Sequence, residues 1–126
     1  MEYTIEFVEG QVPDVLVSIS GPMTIAGNRA WMGEVVHDDR WAPGMKTLVD
    51  ATELLPAEFH GEDVHQVAMT TVAQTDEWGA GASAVIVTSP AVYGLLRIWQ
   101  VATSDMEWKT ELFDNRYDAV NWLRDC

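Results

Sequence analysis

Three histidines, His37, His60 and His65, lie near the acids Asp38, Asp39, Glu62 and Asp63, and these are the residue types that could hold a metal ion. A zinc site needs three or four convergent ligands and a supporting outer layer. His60 and His65 are the tightest grouping, yet a five-residue step turns through about 500° of helix and leaves the two rings on different faces. The expectation is no metal centre and no cofactor. Asp38 and Asp39 are adjacent at a helix end among solvated residues, which gives them no geometry for paired acid and base work.

Nucleophilic and phosphate-cradling patterns are missing too. The chain has no Gly-x-Ser-x-Gly elbow. Ser89 has a simpler use, because a serine before a proline caps a helix whose first position the proline fills. No Gly-x-x-x-x-Gly-Lys occurs, and Gly79-Ala80-Gly81 leads into a strand where a dinucleotide fingerprint would open a helix. Cys126 is the sole cysteine and the last residue, so it forms no internal disulfide and makes a poor buried nucleophile. No catalytic residue can be named, and an enzyme of unidentified chemistry is the weakest functional reading.

Arg97 is one of only seven basic residues. On a helix it forms a polar stripe with Tyr93, Gln100 and Ser104, opposite Leu95, Trp99 and Ala102. Two uses are open to it: pairing with a surface acid, or contact with an anion or partner.

The elements that must position these groups follow from periodicity. Tyr3, Ile5 and Phe7 alternate with polar neighbours, as do Val15, Val17 and Ile19, which predicts two half-buried strands joined as a hairpin through residues 9–14. Gly21-Pro22 closes the second strand. Thr24 caps a helix running to about His37. Thr47 to Ala51 reads as a short buried strand, and Val64, Val67, Ala68, Thr71 and Val72 as one helix face with Glu62 and Asp63 at its positive end. Ala84-Val85-Ile86-Val87 is a strand covered on both faces. Val92, Leu95, Leu96, Trp99 and Ala102 mark a core-facing helix after Ser89. Trp108 to Phe113 gives the last strand, and Asn115 caps the last helix. The order ββαβαβαβα predicts an α/β fold: a single mixed five-stranded sheet with four helices. Nothing divides the chain, so residues 1–126 read as one domain.

Composition sets limits on function. A hydrophobic fraction of 48% with six tryptophans argues for a folded chain, and a net charge of -13 spread without acidic runs longer than two makes its surface acidic. Such a surface repels nucleic acid and anionic membranes. No stretch of 18 apolar residues occurs, and MEYTIEFVEG lacks the basic start of a signal peptide, so the expected location is cytoplasmic with no membrane span.

Several stretches resemble the SpoIIAA-like branch of the STAS family: the hairpin with its Ser20-Gly21-Pro22 exit, Leu48-Val49-Asp50, the run Val87-Thr88-Ser89-Pro90-Ala91-Val92-Tyr93-Gly94-Leu95-Leu96-Arg97, and Asp118-Ala119-Val120-Asn121-Trp122-Leu123. The resemblance covers nearly the whole chain and implies a STAS-like fold, one also likened to the lipid-binding SEC14 domains. STAS proteins that act as anti-anti-sigma factors are phosphorylated at the start of the second helix, after a strand exit that Asp50-Ala51-Thr52 matches. Here that helix begins Phe59-His60-Gly61-Glu62-Asp63, with no hydroxyl and with acids that would repel a phosphate. The switch is not carried over, and Thr52 is the nearest alternative acceptor.

In open α/β sheets ligands gather beyond the carboxyl ends of the parallel strands. That edge is expected to collect Ser20, Asp50, Thr52 and Ser89, with Tyr93 and Arg97 one and two turns into the following helix. The resemblance implies a non-enzymatic regulatory or protein-interaction module, working on a protein partner or by self-association. The alternative is a SEC14-like domain holding a small apolar ligand or lipid between sheet and helices.

Overall fold

Alternating apolar and polar residues lay down the first two strands. The computed structural model describes residues 1–126. In it β1 (Glu2–Phe7) and β2 (Val15–Pro22) pair antiparallel from Glu2 opposite Ser20 to Phe7 opposite Val15. Val15, Val17 and Ile19 are buried while Ser18 is exposed, as a period of two requires.

α1 (Ile25–Val36) starts where the Thr24 hydroxyl accepts the Gly27 N–H at 2.9 Å, and ends with His37 as its C-cap. There follow β3 (Lys46–Leu55), α2 (Gly61–Ala73), α3 (Thr75–Trp78), β4 (Ala82–Ile86), α4 (Pro90–Ala102), β5 (Lys109–Phe113) and α5 (Arg116–Asp125). The five strands form one sheet in the order β1-β2-β3-β4-β5, antiparallel only between β1 and β2. β4 lies inside the sheet and is buried at every residue, which fits its unbroken apolarity.

The sheet has two unequal faces. On one, Val15, Val17, Ile19, Val49 and Val85 meet Trp31, Met32 and Val35 of α1, Val64 and Val67 of α2, and Val92 of α4. On the other, Leu48, Ala84 and Ile86 meet Ala119 and Leu123 of α5 alone. The outer surface of β1 and β2 is left bare, with Glu2, Thr4, Glu6 and Ser18 exposed.

Three expectations need correction. The chain has five helices rather than four, because α2 ends at its C-cap Gln74 and a further turn, α3, closes through Trp78 N–H to Gln74 C=O at 3.1 Å. Trp78 anchors that turn in a tryptophan cluster, and a single turn leaves no periodicity to read. β3 runs past Ala51 to Leu55, since beyond a bulge in β2 the pairs Ser20–Glu53, Gly21–Leu54 and Pro22–Leu55 continue the ladder. Asp50-Ala51-Thr52 therefore lies within the strand and not at its exit. α4 is less deeply set than its apolar spacing suggests, with Val92 its only buried residue.

At the amino ends of the parallel strands Trp41, Trp78 and Trp108 pack together. Ring centroids are 5.5 Å apart for Trp41–Trp78, 6.0 Å for Trp41–Trp108 and 4.9 Å for Trp78–Trp108. Trp41 donates its ring N–H to the Glu77 carbonyl at 2.7 Å, tying the loop before β3 to α3. This cluster closes the end of the sheet opposite to the one where ligands gather in such folds.

Candidate functional site

The helical layer does not close fully on the sheet. Between them lies a cavity of about 50 Å³, lined by 15 residues of which 13 are hydrophobic. Ile19, Val49 and Val85 from three neighbouring strands give one wall; Trp31 and Met32, then Val64 and Val67, then Leu95, Leu96 and Trp99 give the others. The polar members are Asn28 and Ser83. Asn28 is engaged within α1, donating to the Thr24 carbonyl at 3.0 Å and accepting the Trp31 ring N–H at 3.2 Å. No titratable side chain lines the cavity, so it is suited to holding apolar matter and not to proton transfer.

The wall formed by α4 is the thinnest. Ser89 caps that helix by accepting the Val92 N–H at 3.3 Å, and Pro90 occupies its first turn. Beyond Val92, the side chains of Leu95, Leu96, Ile98 and Trp99 are only half-buried, and Tyr93 and Val101 are 47% and 62% exposed. α4 rests on α2 and touches the sheet mainly at β5, so the flank away from α2 is the less covered one.

The six residues expected at the carboxyl edge do not converge on one depression. Ser20 lines a shallow one with Glu2, Thr4 and Ser18, while Asp50 lines another with Glu6, Ser18 and Arg116, both over the bare sheet surface. One Asp50 carboxylate oxygen accepts both the Thr52 N–H at 3.0 Å and the Thr52 hydroxyl at 2.7 Å. Thr52 is thereby engaged within its own strand. Ser89 and Tyr93 belong to the start of α4. Arg97 lines a third depression, between α4 and β5, with Lys109, Glu111 and Trp122. Its guanidinium bonds the Gln100 side chain, and Gln100 in turn donates to the Thr110 carbonyl at 2.6 Å. Ser104 donates to the Val101 carbonyl at 2.8 Å.

The histidines stand apart: His37 ends α1, His60 is the N-cap of α2, and His65 is exposed on α2. Asp63 reaches back to accept the His60 N–H at 2.8 Å. Asp38 is taken up by Arg40, which gives it Nε–H and Nη2–H bonds of 2.9 Å and a backbone N–H bond of 2.8 Å. The side-chain bonds, then the backbone bond, hold the Asp38 carboxyl at about 2. Arg40 also sits 4.5 Å from the Phe7 ring centre. This is the one ion pair between side chains in the chain, so Arg97 has no acidic side chain bound to it.

Two features of these surfaces escaped the sequence reading. Arg116 shares the depression of Asp50 although it sits in the first turn of α5, far along the chain. Ser83 opens onto the apolar cavity, and its only signal was a hydroxyl inside the run Ala82-Ser83-Ala84-Val85.

No protein-family model matches the sequence, and no curated protein matches it. Among solved structures, the chain is similar to a crystal structure of an uncharacterised protein of the DUF3478 family with a SpoIIAA-like fold, from Shewanella loihica PV-4. The two superpose with a TM-score of 0.60 over 97% of this chain and 92% of the other, at 18% sequence identity. Such identity bears on fold alone. No helix of the chain is long and apolar enough to cross a membrane. One mixed sheet, helices on both its faces and this structural likeness together give the chain a SpoIIAA-like fold.

Proposed function

We propose that this chain is a non-enzymatic, STAS-like regulatory module that binds a protein partner through α4. The observation that carries the reading is the apolar surface of α4 left half-covered over the cavity. Contiguous apolar surface of this kind is uncommon on a monomer and marks interaction sites. Tyr93, Arg97 and Val101 succeed one another at one-turn intervals along its exposed side, all three accessible. Arg97 is free of ion pairs in a chain of net charge -13, so an incoming carboxylate would find a cation ready for it. The partner that fits is a segment with two or three apolar anchors and an acid placed between them.

The test is binding by purified components. A partner recovered with the wild-type chain should bind R97E and V101E at least about tenfold more weakly, as expected for residues near the centre of an interface. Full affinity in both variants would exclude α4 as the surface.

The cavity supports a second reading, a small apolar ligand held in SEC14-like fashion. At about 50 Å³ it is well below the roughly 300 Å³ of a drug-sized pocket. An acyl chain enters only if α4 moves outward. Native mass spectrometry of freshly purified protein should then show a bound apolar species that Ser83→Leu or Leu96→Trp expels by filling the space. A chain that carries no such species from its native source favours the partner-binding reading.

A further inference from the structure

The two edges of the sheet are treated differently. At β5 the Lys109 N–H bonds the Gly81 carbonyl and the Val87 N–H bonds the Phe113 carbonyl, so odd-numbered residues face β4 and the groups of Thr110 and Leu112 point outward. Each has one of its two groups capped: the Thr110 carbonyl by Gln100 at 2.6 Å and the Leu112 N–H by the Glu111 carboxylate at 3.0 Å. At β1 the Val8 N–H bonds the Asp14 carbonyl, which continues a ladder in which the even residues Glu2, Thr4 and Glu6 face β2. The N–H and C=O groups of Tyr3, Ile5 and Phe7 therefore point away from the sheet, and no side chain caps them. An edge in that state is a template for another strand.

We propose that β1 is a self-association edge, pairing antiparallel with β1 of a second copy about a two-fold axis at Ile5. Outward-facing groups must be hydrogen-bonded partners, so odd residues pair with odd residues. With Ile5 opposite the partner's Ile5, Tyr3 meets the partner's Phe7 and Thr4 meets the partner's Glu6. Shifting the register one hydrogen-bonded step in one direction sets Glu2 against the partner's Glu6, and in the other direction sets Glu6 against the partner's Glu6. Like charges directly opposed destabilise a pair. The charges thus select the register that also matches aromatic with aromatic and isoleucine with isoleucine, all now only half-buried.

Charge on the helix side agrees with this register. Glu34 of α1 lies against the Tyr3 phenol and, after burial, helps to hold its pKa above the ordinary value. Arg40 lies over Phe7. Setting Tyr3 beside the partner's Phe7 brings Glu34 to the partner's Arg40, and the two-fold makes that contact twice. Because the two-fold pairing uses up the β1 edge of both copies and the β5 edge is partly capped, association closes at two copies and does not run on as a filament. A single strand edge is a small interface and each copy carries a charge of -13, so the dimer is weak and strengthens as salt screens the long-range repulsion.

Sedimentation velocity of the full chain over a range of concentrations is the experiment. The wild type should pass from monomer to dimer, and E34R or R40E alone should each weaken dimerisation by at least about tenfold. E34R lowers the net negative charge, so its loss cannot come from long-range repulsion. An equimolar mixture of the E34R and R40E chains should dimerise again, because each then offers the other an opposite charge at both contacts. Both substituted residues are solvent-exposed, and circular dichroism verifies the fold. A wild type that stays monomeric at about millimolar concentration, a dimer indifferent to either variant, or a mixture that fails to recover would each overturn the proposal. The edge is separate from α4, so this result and the partner-binding result are read independently.

Discussion

Trp78→Ala should lower the free energy of unfolding by about 3–5 kcal/mol, the range for emptying a buried indole site. Trp78 is 3% exposed and packs between Trp41 and Trp108. It is also what holds α3 in place, since the turn has four residues and no side-chain cap. Trp78→Phe should behave differently. The indole N–H of Trp78 is buried without a hydrogen-bond partner, and such a donor costs about 1–3 kcal/mol to bury. Phenylalanine loses packing volume but removes that donor, so the two effects oppose and the net change stays within about 1 kcal/mol. Urea denaturation of both variants, followed by circular dichroism, measures the difference. Equal, large losses would mean that the N–H finds a partner.

The contrast between what could and could not be read from the sequence follows the range of the interactions. Thr24, Ser89 and Asn115 were legible as caps because each bonds an N–H three residues on, inside the same turn. β1, β2 and β4 were legible because apolar periodicity reports which side is covered. The length of β3 was not: Thr52 and Glu53 break the pattern, and only the ladder with Gly21 and Pro22 carries the strand to Leu55. For α4 the spacing gave the correct face, but depth depends on neighbours, and α4 has α2 on one side and little on the other. The cavity is what remains after three helices and a sheet have packed, so no residue announces it. The edges are similar. Gln100 read as part of a polar stripe, and only the crossing of α4 over β5 turns it into the cap of the Thr110 carbonyl.

Gly81→Ala is expected to cost about 3 kcal/mol or more by overpacking against atoms that cannot retreat. A Cβ there would press into the Met45 carbonyl oxygen and lie 2.7 Å from Cζ3 of Trp108 and 2.8 Å from the Gly44 carbonyl carbon. Two of those neighbours are backbone, and the third is a ring wedged against Trp41 and Trp78. Gly81 also accepts the Lys109 N–H at 3.1 Å, so moving it aside disturbs the first bond between β4 and β5. Gly10→Ala supplies the comparison: its φ is +71° but nothing lies within 4 Å of a new Cβ, so it carries only backbone strain of about 1–2 kcal/mol. If the two alanine variants unfold at the same urea concentration, the crowding at Gly81 is relieved by a small shift and the tryptophan end of the sheet is softer than its packing implies. If Gly81→Ala unfolds far earlier with an unchanged denaturant slope, that end is a rigid base. The surfaces proposed above for binding, along α4 and β1, then lie on the more yielding remainder.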